Sequence, residues 1–249
     1  MRNNVLFVAV GLVIAGCTSP TAPADPVGTV TTDLRTGTSI RFLTGSTAAA
    51  PFDLSIDASL NFQGMIAGVG PVQGVGEITT VPASGFVQSF SAATGSGFVV
   101  KTKDGLNLYY AVYVDADIIS TSGGVLGKTI KWHSLTTLDS IAVTPAGASI
   151  TRPAPGVGAC AFSAPLAFAA TGTNSDGSTN NVTSLVTWSS SPTPDGGNSG
   201  PFLKSTGIAT ASGSSTQPNG CPLTPLGSYT ISAAYSVTGT TGLTMLTIQ

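Results

Sequence analysis

Four side chains on one short segment are suited to recognition chemistry. Tyr109, Tyr113, Asp115 and Asp117 recur at even spacing in the run Tyr109-Tyr110-Ala111-Val112-Tyr113-Val114-Asp115-Ala116-Asp117. Successive side chains of an extended strand point to opposite faces. The four therefore share one face with Ala111, and Tyr110, Val112, Val114 and Ile118 lie on the other. A row of tyrosines ending in two carboxylates can stack on sugar rings and bind their hydroxyls. The two aspartates could also chelate Ca²⁺ together with backbone oxygens, although no Asp-rich calcium loop surrounds them. A plainer reading is cross-strand aromatic packing that stabilises a sheet and leaves the carboxylates solvated.

The ingredients of catalysis are sparse. His133 is the only histidine, and a general base needs a positioned nucleophile and an orienting partner that nothing near it supplies. It reads as a surface or linker residue. Glu77 is the sole glutamate, and no facing carboxylate pair suited to glycoside hydrolysis is evident. The glycines between Gly64 and Gly76 precede no helix, so they form no phosphate loop. Lys101 and Lys103 share a face without arginine neighbours and read as solvated. Asp176-Gly177-Ser178 is a turn. The Asn181-Val182-Thr183 sequon is too short a pattern to carry weight. The chain is expected to be no enzyme and to hold no cofactor or metal. With nine Lys and Arg against eleven Asp and Glu, it has no basic stripe for nucleic acid.

The N-terminus carries a stronger signal. Arg2 is followed by an apolar run, Val5 to Ala15, and then by Ile14-Ala15-Gly16-Cys17. That run spans only about half of a hydrocarbon core of about 30 Å. The arrangement resembles a bacterial lipobox, where a signal peptide is cut before a lipid-modified cysteine. The resemblance implies a signal peptide over 1–16, acylation at Cys17 and attachment to a membrane of the cell envelope. Thr18, in place of aspartate, resembles the outer-membrane choice. Residues 17–36, with Pro20, Pro23 and Pro26, read as an extended tether.

With Cys17 assigned to lipid, Cys160 and Cys221 remain in an oxidising compartment and read as one disulfide. Two buried free thiols or a metal pair are the alternatives. A closed zinc site cannot be assembled from the usual ligands with a single histidine.

The rest of the chain reads as all-β. Charged residues make up 8%, against about 25% in ordinary domains, and Gly, Ser, Thr and small apolar residues fill the difference. No segment shows a convincing helical period, and short alternating runs are separated by Gly, Pro and Asp turns. The expected strands of a barrel-like N-terminal domain over 37–134 are 39–43, 52–62, 74–80, 84–93, 97–102, 106–119 and 125–131. Lys103-Asp104-Gly105 is its sharpest turn signal. The run Gly74-Val75-Gly76-Glu77-Ile78-Thr79-Thr80-Val81-Pro82-Ala83-Ser84-Gly85, with 95–105 and the strand from Tyr109, resembles a recurrent β module of exported bacterial proteins. That resemblance brings no catalytic residues.

Residues 137–249 resemble a bacterial immunoglobulin-like domain of group 2. The resemblance rests on Leu138 to Pro145, Phe168 to Ser178, Val182 to Ser190 with Trp188, Gly207 to Ala211, Tyr229 to Tyr235 and Thr244 to Ile248. It implies a β-sandwich with Trp188 in the core. Two insertions, 151–161 and 212–226, depart from the family pattern, and each contains one cysteine. In such a sandwich they lie at the same pole, where the Cys160–Cys221 bridge would pin them. The expected partners are a membrane, through acyl chains, and an extracellular protein or glycan.

If the bridge forms, Cys160→Ser lowers the unfolding free energy by up to about 4 kcal/mol, less any strain relieved. Urea unfolding with and without reductant measures this. An unchanged midpoint and two titratable thiols would exclude the bridge.

Overall fold

The structure, a computed structural model, describes residues 24–43, 52–103, 105–154, 161–191, 202–213 and 223–249. Cys17, Cys160 and Cys221 lie outside these, as do Asp104 and the signal peptide. The described chain is all-β: an N-terminal sheet curled into a nearly closed barrel, followed by a sandwich-like unit of four smaller sheets.

The N-terminal sheet contains eight strands: β1 (Val30–Arg35), β2 (Ser39–Ile40), β3 (Leu54–Ile56), β4 (Phe62–Pro71), β5 (Val87–Phe90), β6 (Ser96–Lys101), β7 (Tyr109–Ile119) and β8 (Val125–Ser134). Their order is β1-β8-β7-β6-β4-β3-β2, with β5 added beside β4. Every pairing is antiparallel. The turn between β1 and β2 comes back to β3: Gly37 N–H donates to Ile56 O at 3.0 Å, and Ile56 N–H to Thr38 O at 3.3 Å. That contact closes the curl.

Alternation along the strands fills the interior with aromatic rings. Phe42 stacks on Tyr110 at 4.8 Å, and Trp132 meets Phe42 edge-on at 5.0 Å. Phe62 and Phe90 both pack against Phe98. Offset and edge contacts of this kind add about 0.5–1.5 kcal/mol each beyond the area they bury.

Three expectations are corrected. The sheet begins inside the segment read as a tether: Val30–Arg35 pairs with β8 along its whole length. One side of β1 has a buried Leu34 and a Thr32 that accepts from Trp132 Nε1 at 3.1 Å. Residues 74–80 are not a strand, because Val75–Glu77 is a short 3₁₀ turn. His133 is not in a linker, since β8 continues through it to Ser134.

The sandwich comprises β9 (Leu138–Thr144), β10 (Ala148–Ile150), β11 (Ala161–Phe162), β12 (Leu166–Ala167), β13 (Ala169–Asn174), β14 (Thr179–Asn181), β15 (Thr187–Ser191), β16 (Phe202–Leu203), β17 (Ile208–Thr210), β18 (Ser212–Gly213), β19 (Gly227–Ala234) and β20 (Thr241–Ile248). One sheet runs β10-β20-β19-β15. Three smaller sheets, β14-β13-β9, β12-β17-β16 and β11-β18, complete the unit, and side chains of β9, β13 and β17 share one core with those of β15, β19 and β20. β10 is parallel to β20, and Thr144-Pro145, just before it, is cis.

The sandwich core holds Ile141, Val143, Phe168, Trp188, Ile231, Leu246 and Ile248. Trp188 is buried as expected, and its Nε1 donates to Thr183 O at 3.1 Å. Tyr229 is also buried and donates its hydroxyl to Pro225 O, four residues upstream, at 3.0 Å. The flanks of the two insertions meet. Arg152 donates to Thr224 O at 2.9 Å, and Ala161 pairs with Gly213.

The barrel and the sandwich are spliced at two points. Only residues 135–137 separate β8 from β9, and they are bound to β7: Leu135 N–H donates to Tyr109 O, and Tyr109 N–H to Thr136 Oγ1, each at 2.8 Å. The loop between β6 and β7 makes the second contact. Asp53, buried beneath it, accepts from Lys103 N–H at 3.1 Å and from Phe42 N–H at 3.0 Å. The Leu106 carbonyl then receives two amide donors from the sandwich, Asn180 Nδ2 at 2.8 Å and Asn174 Nδ2 at 3.1 Å. Asn107 donates in turn to Asn180 Oδ1.

Replacing both Asn174 and Asn180 by Ala leaves the Leu106 carbonyl without these donors, at a cost of about 1–3 kcal/mol. Calorimetry is expected to resolve the barrel and the sandwich as separate transitions in the double variant and a single one in the wild type. One unchanged transition would show that the joint does not couple them.

Candidate binding face

The residues read from sequence as one face are divided by the sheet itself. Up to Val114 the alternation holds: Tyr110, Val112 and Val114 point into the barrel, and Tyr109, Ala111 and Tyr113 point outward. Between Val114 and Ala116 the register with β8 shifts. This bulge adds one residue and reverses the faces that follow. Asp115 stays outside beside Tyr113. Asp117 pairs with Lys128, on the side of β8 that carries buried Ile130 and Trp132. Asp115 and Asp117 thus sit on opposite sides of the sheet, and the Ca²⁺-chelating pair is not formed.

Each aspartate has a cation. Lys128 Nζ lies 2.6 Å from Asp117 Oδ1, and Thr94 Oγ1 donates to the same oxygen at 3.1 Å. The hydrogen bond from Lys128 holds the Asp117 carboxyl below its ordinary range; partial burial opposes this, and the Thr94 bond and the Lys128 charge reinforce it. On the outside, Lys131 Nζ lies 3.1 Å from Asp25 and 3.7 Å from Asp115. The Asp25 hydrogen bond raises the Lys131 ammonium above its ordinary value, and burial opposes that shift.

The outward tyrosines are not open to solvent along their length. The segment Val72–Phe86 folds over them as a flap. Its Val75 and Ile78 form a second small core with Val99 and Ala111, and Val72, Phe86, Tyr109, Tyr113 and Leu135 pack around it. Val99 and Ala111 are both fully buried, although they face away from the barrel interior. Phe86 tilts against Tyr109 at 5.8 Å, and Lys101 Nζ stands 5.9 Å from the Tyr109 ring centre on the same side.

The close fit depends on Gly97. A methyl group there would lie 2.7 Å from Ile78 Cδ1 and 2.8 Å from Val72 Cγ2. The cross-strand aromatic packing expected of this face is not formed, because Tyr109 lies opposite Lys101 and Tyr113 opposite Gly97 and Lys131; the strip packs against the flap instead, with Tyr113 and Asp115 at its border.

Two features escaped the sequence reading. The flap has i, i+3 apolar spacing at Val75 and Ile78, which suits a 3₁₀ turn of about three residues but was read as alternation. His133 lies opposite Ala111 on the outward face, and its Nε2 is buried with no hydrogen-bond partner. The sandwich also has an open cleft of about 580 Å³ lined, among the described residues, by Asn181, Thr183, Ser184, Val186, Ser205 and Thr206, none of them ionisable. Among the described residues, no three His, Cys, Asp or Glu are grouped to hold a metal. No helix there is long and apolar enough to cross a membrane.

No protein-family model matches the chain, and no curated protein matches it in sequence.

Because Asp117 titrates lower when folded, its contribution is present above the unfolded carboxylate value and is lost as pH falls through the folded one. Asp117→Asn is therefore expected to narrow the gap in urea stability between neutral pH and about pH 3. An equal gap in both proteins would show that the pair contributes nothing to acid sensitivity.

Proposed function

We propose that the chain is a non-catalytic lipoprotein of a bacterial cell envelope. In this reading it is matured at Cys17, held in the outer membrane by acyl chains, and displays a binding or adhesive β module on an immunoglobulin-like domain of the bacterial group 2 type. The observation that carries this reading is the splice at Leu106. A barrel clamped to a sandwich through two asparagine amides and a three-residue link presents its surfaces at fixed mutual orientation. That property suits display. Function on such folds lies in loops and exposed strand faces. The strand order of the sandwich, its buried Trp188 and the Tyr229 hydroxyl bond to an upstream carbonyl agree with the immunoglobulin-like assignment.

A second reading makes the ligand a glycan. It is favoured by Tyr109 and Tyr113 standing on one side of β7 with Asp115 at their end, a set able to stack on sugar rings and accept hydroxyl hydrogen bonds.

Mass spectrometry of the membrane fraction tests the first reading. A mature chain starting at acylated Cys17 is expected, with Cys17→Ala released from the membrane. An uncut chain starting at Met1 would overturn the anchoring. A polysaccharide array tests the second: retention lost in the Tyr109→Ala, Tyr113→Ala double variant supports it, and no retention of the wild type on any glycan rejects it.

A further inference from the structure

We propose that the tip of the β7–β8 hairpin, Ile119 to Leu126, enters the surface of the phospholipid bilayer that holds the Cys17 anchor. The proposal rests on the anchoring read for Cys17 and adds the end of the molecule that meets the lipid.

Three aliphatic side chains stand in solvent at this tip: Ile119 is 55% exposed, Leu126 39% and Val125 37%. Ile119 pairs with Val125 across the hairpin, and Leu126 follows directly, so the three are neighbours. Single exposed apolar residues are ordinary on a protein surface, whereas a cluster marks a surface that meets protein or lipid. None of residues 118–127 is ionisable. At the base of the tip, Lys128 and Asp117 neutralise each other at 2.6 Å. No bare charge therefore has to be carried toward hydrocarbon, where it would be costly.

The tip also satisfies much of its own hydrogen bonding. A backbone group that leaves water for lipid must find its partner within the protein. Ser120 N–H donates to Gly124 O at 2.8 Å, and Gly123 N–H to Ser120 O at 2.9 Å. Gly124 N–H donates to Ser120 Oγ at 2.9 Å, and the Ser120 and Ser122 hydroxyls bond each other at 2.9 Å.

The place of the tip in the fold favours a bilayer as its partner. β7 starts at the joint with the sandwich, at Tyr109, and ends at Ile119. At about 3.3 Å per residue, the tip lies roughly 33 Å along the strand from that joint. With the tip on lipid, the sandwich points away from the membrane, as the display reading requires. The anchor fits the same orientation. Asp25 is tied to Lys131, and Lys131 lies about 20 Å along β8 from Val125. Extended, the seven residues from Cys17 to Ala24 cover about that distance. The acylated cysteine and the tip can therefore enter one surface. Arg35, exposed on β1 opposite Gly127, is in no ion pair among the described residues. It supplies a cation beside the tip for headgroup phosphates.

Tryptophan fluorescence of the full acylated chain, reconstituted in vesicles of phosphatidylethanolamine and phosphatidylglycerol, tests this. Leu126→Trp puts a reporter at the tip, and Leu226→Trp, at an exposed position of the sandwich, is the control. The native Trp132 and Trp188 are buried and give the background. Lipid brominated in its acyl chains is expected to quench about half or more of the signal that Leu126→Trp adds, and little of that from Leu226→Trp. If Leu126→Trp does not fold, Val125→Trp takes its place. A chain that floats with the vesicles but shows no quenching at the tip, or equal quenching at both positions, overturns the proposal and leaves the anchoring standing. A tip reporter shielded from aqueous acrylamide yet unquenched by brominated lipid means that a second copy or another protein covers it, which also overturns the proposal. A chain that does not float with the vesicles overturns the anchoring, and the tip proposal with it.

Discussion

Strand β7 is apolar on both faces, and the N-terminal unit is arranged around that constraint. A strand at the edge of a solvated sheet can leave one side polar. β7 has Tyr110, Val112 and Val114 on one side and Ala111 on the other, all buried. It therefore needs two covers. The first is the barrel interior, where the Phe42, Tyr110 and Trp132 rings meet. The second is a piece of irregular chain that contributes Val75, Ile78 and Phe86. A chain with only 8% charged residues has little else with which to cap a sheet face, and it uses a loop where another protein would use a row of lysines or glutamates.

The same strand carries the connection to the sandwich. Its first residue, Tyr109, uses both backbone groups on the inter-domain link, and the loop that enters it presents Leu106 to the two asparagines. The outer cover, the barrel and the joint are thus not independent modules. A change that shifts β7 by one residue would reverse its faces, withdraw its side chains from the barrel interior and from the small outer core, and pull Leu106 away from the sandwich.

Much of this was legible in the residues. Tyr229, Ile231 and Ala233 alternate with polar neighbours and are buried as that pattern requires. Phe98 and Val100 share one side of β6, and Val99 and Lys101 the other. The Lys103-Asp104-Gly105 signal falls between β6 and β7, with Asp104 outside the described residues, and nothing local indicates that Leu106 after it contacts residues about seventy positions away. The bulge after Val114 has no glycine or proline to announce it, so the two aspartates were placed together when the register separates them. β1 was hidden because Val-Thr-Thr-Asp-Leu-Arg gives one buried apolar side chain, and its partner lies about a hundred residues on. His133 lies beyond the strand expected over 125–131 because nothing in the local pattern shows that β8 runs on to Ser134. Local patterns were readable, and features set by distant partners were not.

The N-terminal segment has a mechanical consequence. Ala24 and Pro26 rest on Gly76, where a methyl group would come within 2.9 Å of the Ala24 carbonyl, and Asp25 is tied to Lys131. If Cys17 is acylated as proposed, the seven residues from it to Ala24, at about 3.3–3.6 Å each, could reach no more than about 25 Å. That is less than the diameter of the folded unit it would moor, for which the usual size relation gives a radius of gyration of about 17 Å. An anchor at that cysteine would set an altitude and restrict the solid angle through which the molecule could lean, so that ligands in the headgroup layer would fall within its reach and those far out in the medium would have to come to it.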